Sequence, residues 1–227
     1  MSEQGATTVR TERRWQMALA VLVAVGLQVA TPHAGRLPGW WLFPVLELLL
    51  LPIIIAIDPG KVDDRSVQVR RLTIGLIAIM TVGTLGGVTL LAYDILSNSV
   101  LFHAPTVILS ATDLFGRGAA LWVTNVIVFS LWFWELDRGG PAERAAASGI
   151  PPSFAFPENA MPEFAAEGWS PIYPDYLYLA FTNATAFSPT DSLPVKTWAK
   201  MAMMLQSVVS LVTAILVVAR AINVLPG

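Results

Sequence analysis

Apolar residues in this chain come in long blocks separated by short polar joints, so block length is the first thing to read. A helix crossing the hydrocarbon core of a bilayer needs about 20 mostly apolar residues. Five blocks meet that need: residues 15–31, 40–57, 72–95, 119–136 and 198–225. A sixth stretch, 172–187, is shorter and interrupted by polar residues. If it crosses, the chain has six spans and both termini on one side. If it re-enters, there are five spans and the termini lie on opposite sides. The pattern predicts an all-α fold, a multi-span transmembrane helical bundle with five or six membrane segments.

The joints support this division. Trp15, Trp40, Trp41, Trp132, Trp134, Trp169 and Trp198 stand at or near block ends, where amphipathic rings settle at headgroup depth. Pro32, Pro38, Pro59, Pro141, Pro171 and Pro174 punctuate the connections. Pro44 and Pro52 fall inside the second block and predict a kinked helix. Gly83 and Gly87 form a GxxxG pair in the third, a place for another helix to approach closely. Residues 137–171 differ in texture, with six prolines and four glutamates, and predict an irregular extramembrane loop with a short interfacial helix over 142–148. Three regions follow: 1–137, four membrane helices; 138–171, the Pro/Glu-rich loop; and 172–227, the C-terminal pair of segments.

Composition sharpens the picture. Of 227 residues 55% are hydrophobic and 13% charged, and the mean hydropathy is +0.61. Soluble domains carry about 25% charged residues, so the lipid bilayer is the expected partner, in the cell membrane. A formal net charge of -2 gives no basic face for nucleic acid. The absence of cysteine excludes disulfides and thiolate chemistry. Arg10, Arg13 and Arg14 before the block 17–30, with Ala30, Ala34 and Gly35 after it, resemble a signal peptide. Because the rest of the chain is itself membrane-bound, the first block is expected to stay as an anchor helix. A cytoplasmic N-terminus with six spans puts ten Lys and Arg inside and four outside, the asymmetry the positive-inside rule favours.

Residues 175–191 read DYLYLAFTNATAFSPTD and lead through SLPVKTWAK into a long helix ending VVARAINVL. This resembles the pore module of the potassium-channel superfamily, in which a pore helix of the form DYxYFSxxTxTT runs into the filter TVGYGD and then an inner helix. Asp175, Tyr176 and Tyr178 open the match, Thr182 and Thr185 take the threonine positions, Asp191 closes it, Pro194 stands in the turn, and Ala219 and Arg220 end the inner helix. The resemblance implies a pore helix and inner helix, the fourth block as outer helix, an inorganic ion as cargo and a homo-oligomer, since one module supplies a quarter of a pore. The chain departs from the pattern at the filter, where Ala186, Phe187, Ser188, Pro189 and Thr190 replace TVGYG. The filter's carbonyl rings need glycine's backbone freedom, and Pro189 restricts both itself and Ser188. The ending is also similar to bacterial membrane proteins of unknown function in which other residues replace the filter.

Polar residues within apolar blocks are the candidates for chemistry, because hydrocarbon offers them no partner. Glu47, in the second block, is either an ion or proton site or a carboxyl bonded to another helix. Thr182, Asn183 and Thr185 cluster in the shorter stretch. Gln206, Ser207, Ser210 and Thr213 recur at helical spacing in the last block, and Gln206, Ser210 and Thr213 share one face at 100° per residue. Thr182, Asn183, Thr185, Phe187, Ser188, Gln206, Ser210 and Thr213 are the pore-lining candidates, expected to face one another or a common axis; helix–helix hydrogen bonding is the other use for them. Asp113 and Arg117 are spaced for an ion pair. Glu135, Asp137 and Arg138 mark a boundary ended by Gly139 and Gly140. His33 and His103 have no carboxylates at metal-ligand spacing, and no nucleotide-loop or hydrolase motif is present. No metal, cofactor or enzyme activity is expected. The leading expectation is a channel-like membrane protein; a non-conducting scaffold and a small transporter are the alternatives.

Overall fold

The computed structural model describes residues 12, 14–31, 39–57, 66–97, 111–186 and 191–224. Among them are eight α-helices: α1 (Trp15–Ala30), α2 (Leu42–Ile57), α3 (Val67–Ser97), α4 (Ala111–Leu136), α5 (Pro141–Ala145), α6 (Pro157–Ala160), α7 (Tyr173–Ala186) and α8 (Thr197–Val224). Two short strands, β1 (Phe154–Ala155) and β2 (Leu193–Pro194), pair antiparallel. Apart from this pair the fold is helical, and among the described residues three helices are long and apolar enough to cross a membrane: residues Val67–Tyr93, Thr112–Gly139 and Thr197–Ala219. α1 and α2 are apolar but have 16 residues each.

Local chemistry sets several boundaries. Pro44 sits in the first turn of α2, where its missing N–H would have had no helical partner; Pro52 is interior and removes one bond. α3 and α4 begin five and eight residues before the apolar blocks that predict them. Polar residues such as Arg70, Arg71, Asp113 and Arg117 end an apolar run without ending a helix, since backbone hydrogen bonding is indifferent to them. α4 stops where Arg138, Gly139 and Gly140 all take positive φ, which glycine accepts without a Cβ clash.

Contacts between helices fix their directions. Gly118 of α4 lies against Val217 of α8, and Asn125 against Ser210, so α4 and α8 are antiparallel. Tyr173 of α7 meets Ser130 of α4, and Phe181 meets Trp122, so α7 is also antiparallel to α4. α7 and α8 therefore run the same way. Gly87 of α3 abuts Leu121 of α4, 2.6 Å from where a Cβ would stand, and Gly83 faces Phe43 of α2 at 3.4 Å. The GxxxG pair thus contacts two different helices. α1 contributes Met17, Val21 and Ala24 to the core.

Residues 138–171 fold back onto the bundle. Besides α5, α6 and a 3-10 turn at Pro162–Phe164, they bury Phe154 and Phe156. Phe154 packs edge-on against Trp198 of α8, and both phenylalanines against Tyr176 of α7. Val195 N donates to Ser153 O at 2.8 Å beside the β1–β2 pair, tying the chain before α7 to the chain after it.

Candidate functional site

The pore-lining candidates that come together lie between α4, α7 and α8. Asn183 Nδ2 donates to Gln206 Oε1 at 2.8 Å and to Met203 O at 2.9 Å. Gln206 Nε2 returns a bond to Ala180 O at 2.8 Å, and Ser207 Oγ reaches Asn183 O at 3.4 Å. Asn183, Gln206, Ser210 and Thr213 are all buried. Thr213 bonds within its own helix, to Val209 O. Thr182 and Thr185 also bond back to α7 carbonyls, and Thr185 is exposed. Phe187 and Ser188, like His33 and His103, lie outside the described residues.

Asn125 completes the seam. Its Nδ2 donates to Ser210 Oγ at 2.9 Å and Gln206 O at 3.2 Å, while its buried Oδ1 has no hydrogen-bond partner among the described residues. An asparagine inside the run LWVTNVIVFS is the signal that could have found it. The opposite face of α8 is apolar and exposed, through Met204, Leu205, Val208, Leu211, Val212 and Ile215. The polar stripe of α8 therefore turns into its own chain and the apolar stripe outward.

Glu47 is fully buried. Gln28 of α1 donates from Nε2 to both of its carboxyl oxygens, at 3.1 and 3.0 Å. Gln28 also lines a cavity of about 240 Å³ between α1, α2, α3 and α4, with Gly86, Gly87, Arg117 and Thr124.

At the end of the bundle where α4 stops, a charged group forms. Arg144 of α5 donates from Nε and Nη2 to Glu12 Oε1 at 3.1 and 2.8 Å, and from Nη1 to the Trp134 and Asp137 carbonyls at 2.7 and 3.0 Å. Its guanidinium lies 5.0 Å from the Tyr176 ring. Burial alone disfavours its charge, but Tyr176, Glu12 and Asp137 outweigh that and hold its pKa above the ordinary value. Trp134 Nε1 donates to Glu12 Oε2. Asp137 accepts from Ser153 N at 2.6 Å and Tyr176 Oη at 2.7 Å. The sequence places Asp137 at a helix boundary and Arg144 inside the Pro/Glu-rich loop; nothing local marks either as a link between the chain before α1, α4, α5 and α7.

No protein-family model, curated protein or solved structure matches the chain.

Proposed function

We propose that the chain is a multi-pass protein of the cell membrane with a cytoplasmic N-terminus and five spans, α1 to α4 and α8. In this reading α4, α7 and α8 form a channel-like unit of outer helix, re-entrant helix and inner helix that works as a homo-oligomer. The observation that carries it is the shared direction of α7 and α8. Two consecutive helices running the same way require the chain between them to return. At 14 residues α7 is about 21 Å long, short of the roughly 30 Å hydrocarbon core, and β2 after it pairs with β1 before it. Non-helical backbone at membrane depth is tolerated where protein buries it or where it lines a water-filled cavity. Of the described residues in the connection, Asp191 and Ser192 are polar groups suited to such a lining.

Charge supports the five-span count. A re-entrant α7 moves Lys196 and Lys200 inside and Arg220 outside, giving eleven cations against three, a larger asymmetry than six spans give. The cargo would be an inorganic ion, without the selectivity of a glycine-built filter. The non-conducting scaffold is the second reading, supported by the closure of Asn183 on Gln206 and of Asn125 on Ser210 within one chain.

Reconstitution into liposomes tests the two. The channel reading expects K⁺, Na⁺ or Cl⁻ flux above that of protein-free vesicles, lowered by bulky substitution at Ser192. No flux of any of these ions overturns it in favour of the scaffold.

A further inference from the structure

The end of the bundle that carries Arg144 also holds a cavity of about 290 Å³, framed by the starts of α1 and α3, the end of α4 and α5. Three arginines line it: Arg14 before α1, and Arg70 and Arg71 in the first turns of α3. Arg14 is buried, Arg71 exposed, and Arg70 pairs through Nε with Glu135 Oε1 at 3.7 Å. Two carboxylates, Glu135 and Glu143, share the lining. With both ionised, the lining still carries one net positive charge. Ser66 is part of the lining, and its Oγ accepts from the Val69 N–H at 3.5 Å. The remaining first-turn N–H groups of a 31-residue helix add partial positive charge there. Val67, Val69, Ile74, Pro141 and Ala142 give the wall an apolar side.

We propose that this cavity is a binding site for a phosphodiester, the headgroup phosphate of an anionic membrane lipid. A guanidinium fork matches phosphate oxygens in shape and charge. One residual positive charge fits one phosphodiester. In the five-span reading proposed above, on which this inference rests, the ends of α1, α3 and α4 put the arginines at headgroup level, where basic pockets between helices take anionic lipid heads. The apolar wall suits the glycerol and upper acyl carbons and disfavours a freely soluble phosphate. The site does not depend on whether the C-terminal helices conduct.

The test uses the full chain, delipidated in detergent at low salt, with lipid binding read by native mass spectrometry and thermal shift. Phosphatidylglycerol is expected to bind and raise the unfolding temperature, and phosphatidylcholine, whose headgroup is neutral overall, to bind at least tenfold more weakly. Arg71→Glu reverses an exposed charge and should weaken phosphatidylglycerol binding about tenfold or more while leaving the lipid-free unfolding temperature unchanged. Ser66→Glu adds a negative charge to the same lining and should act likewise, so a fold defect in one variant does not decide the matter. Equal binding of sn-glycerol 3-phosphate, with the same sensitivity to Arg71→Glu, would keep the phosphate site and transfer it to a soluble ligand. Equal binding of the two lipids, or no effect of either variant, overturns the proposal.

Discussion

Between α4, α7 and α8 the buried polar groups are neutral: amides and hydroxyls that bond to one another and to backbone carbonyls of neighbouring helices. At the end of the same bundle the buried polar groups are charged, and Arg144 spends its donors on Glu12 and on the carbonyls of Trp134 and Asp137. The two regions differ in what removal of one member leaves behind. A lost amide leaves a dipole that can rotate or find another carbonyl, and hydrogen bonds between membrane helices contribute about 0.6 kcal/mol on average. A lost guanidinium leaves a buried carboxylate with no counter-charge, a cost of about 3–5 kcal/mol. The charged group therefore fixes how α1, α4, α5 and α7 meet, while the neutral seam adjusts the fit of α7 to α8.

The largest expected effect is at Arg144. Arg144→Met should lower stability in detergent by about 3–5 kcal/mol, read as a fall in unfolding temperature. Adding Glu12→Gln should recover part of that loss, because the stranded carboxylate is neutralised. A loss under 1 kcal/mol, or strict additivity of the pair, would erase the contrast between the two regions.

A substitution that touches neither network separates packing from hydrogen bonding. Gly118 of α4 lies so close to Val217 that any Cβ must displace it. Gly118→Val should cost about 1–3 kcal/mol by overpacking, whereas Gly86→Ala, with nothing within 4 Å of its Cβ, should cost nothing measurable. Equal effects of the two would show that the α4–α8 contact does not hold the seam in place.

Within the seam the expected effects are smaller. Asn183→Leu and Ser210→Leu should each cost about 0.6–1.7 kcal/mol. Because both act on Gln206 and its helix turn, the double variant should differ from the sum of the singles. Additive losses in thermal unfolding would mean that the seam is a set of separate pairs.

The smallest effect is expected at Glu47. Glu47→Gln keeps an acceptor for Gln28 and should change stability by less than about 0.6 kcal/mol, which groups this site with the neutral seam. A loss of several kcal/mol would group it with Arg144 and mark a charge that the bundle requires.

How much of this was legible varies by residue. The helical blocks, their joints and the inward turn of Gln206, Ser210 and Thr213 follow from the sequence, because lipid gives a buried polar group one place to go and helical spacing puts the three on one face. The burial of Glu47 follows for the same reason. The early starts of α3 and α4 did not, since block hydropathy measures transfer to lipid and not backbone hydrogen bonding. Neither did the role of 138–171: proline and glutamate mark an irregular path, and nothing in them states that Phe154 and Phe156 will pack beneath Tyr176 and Trp198.

That the chain is a bundle of apolar helices, and which of their residues need polar partners, could be read without coordinates, because both are properties of single segments. Which partners they find depends on how the segments come together. That Asn183 meets Gln206, that Arg144 meets Glu12 across 132 positions, and that α7 and α8 run the same way all depend on contacts between segments. The energy of such a contact exists only once two helices lie side by side.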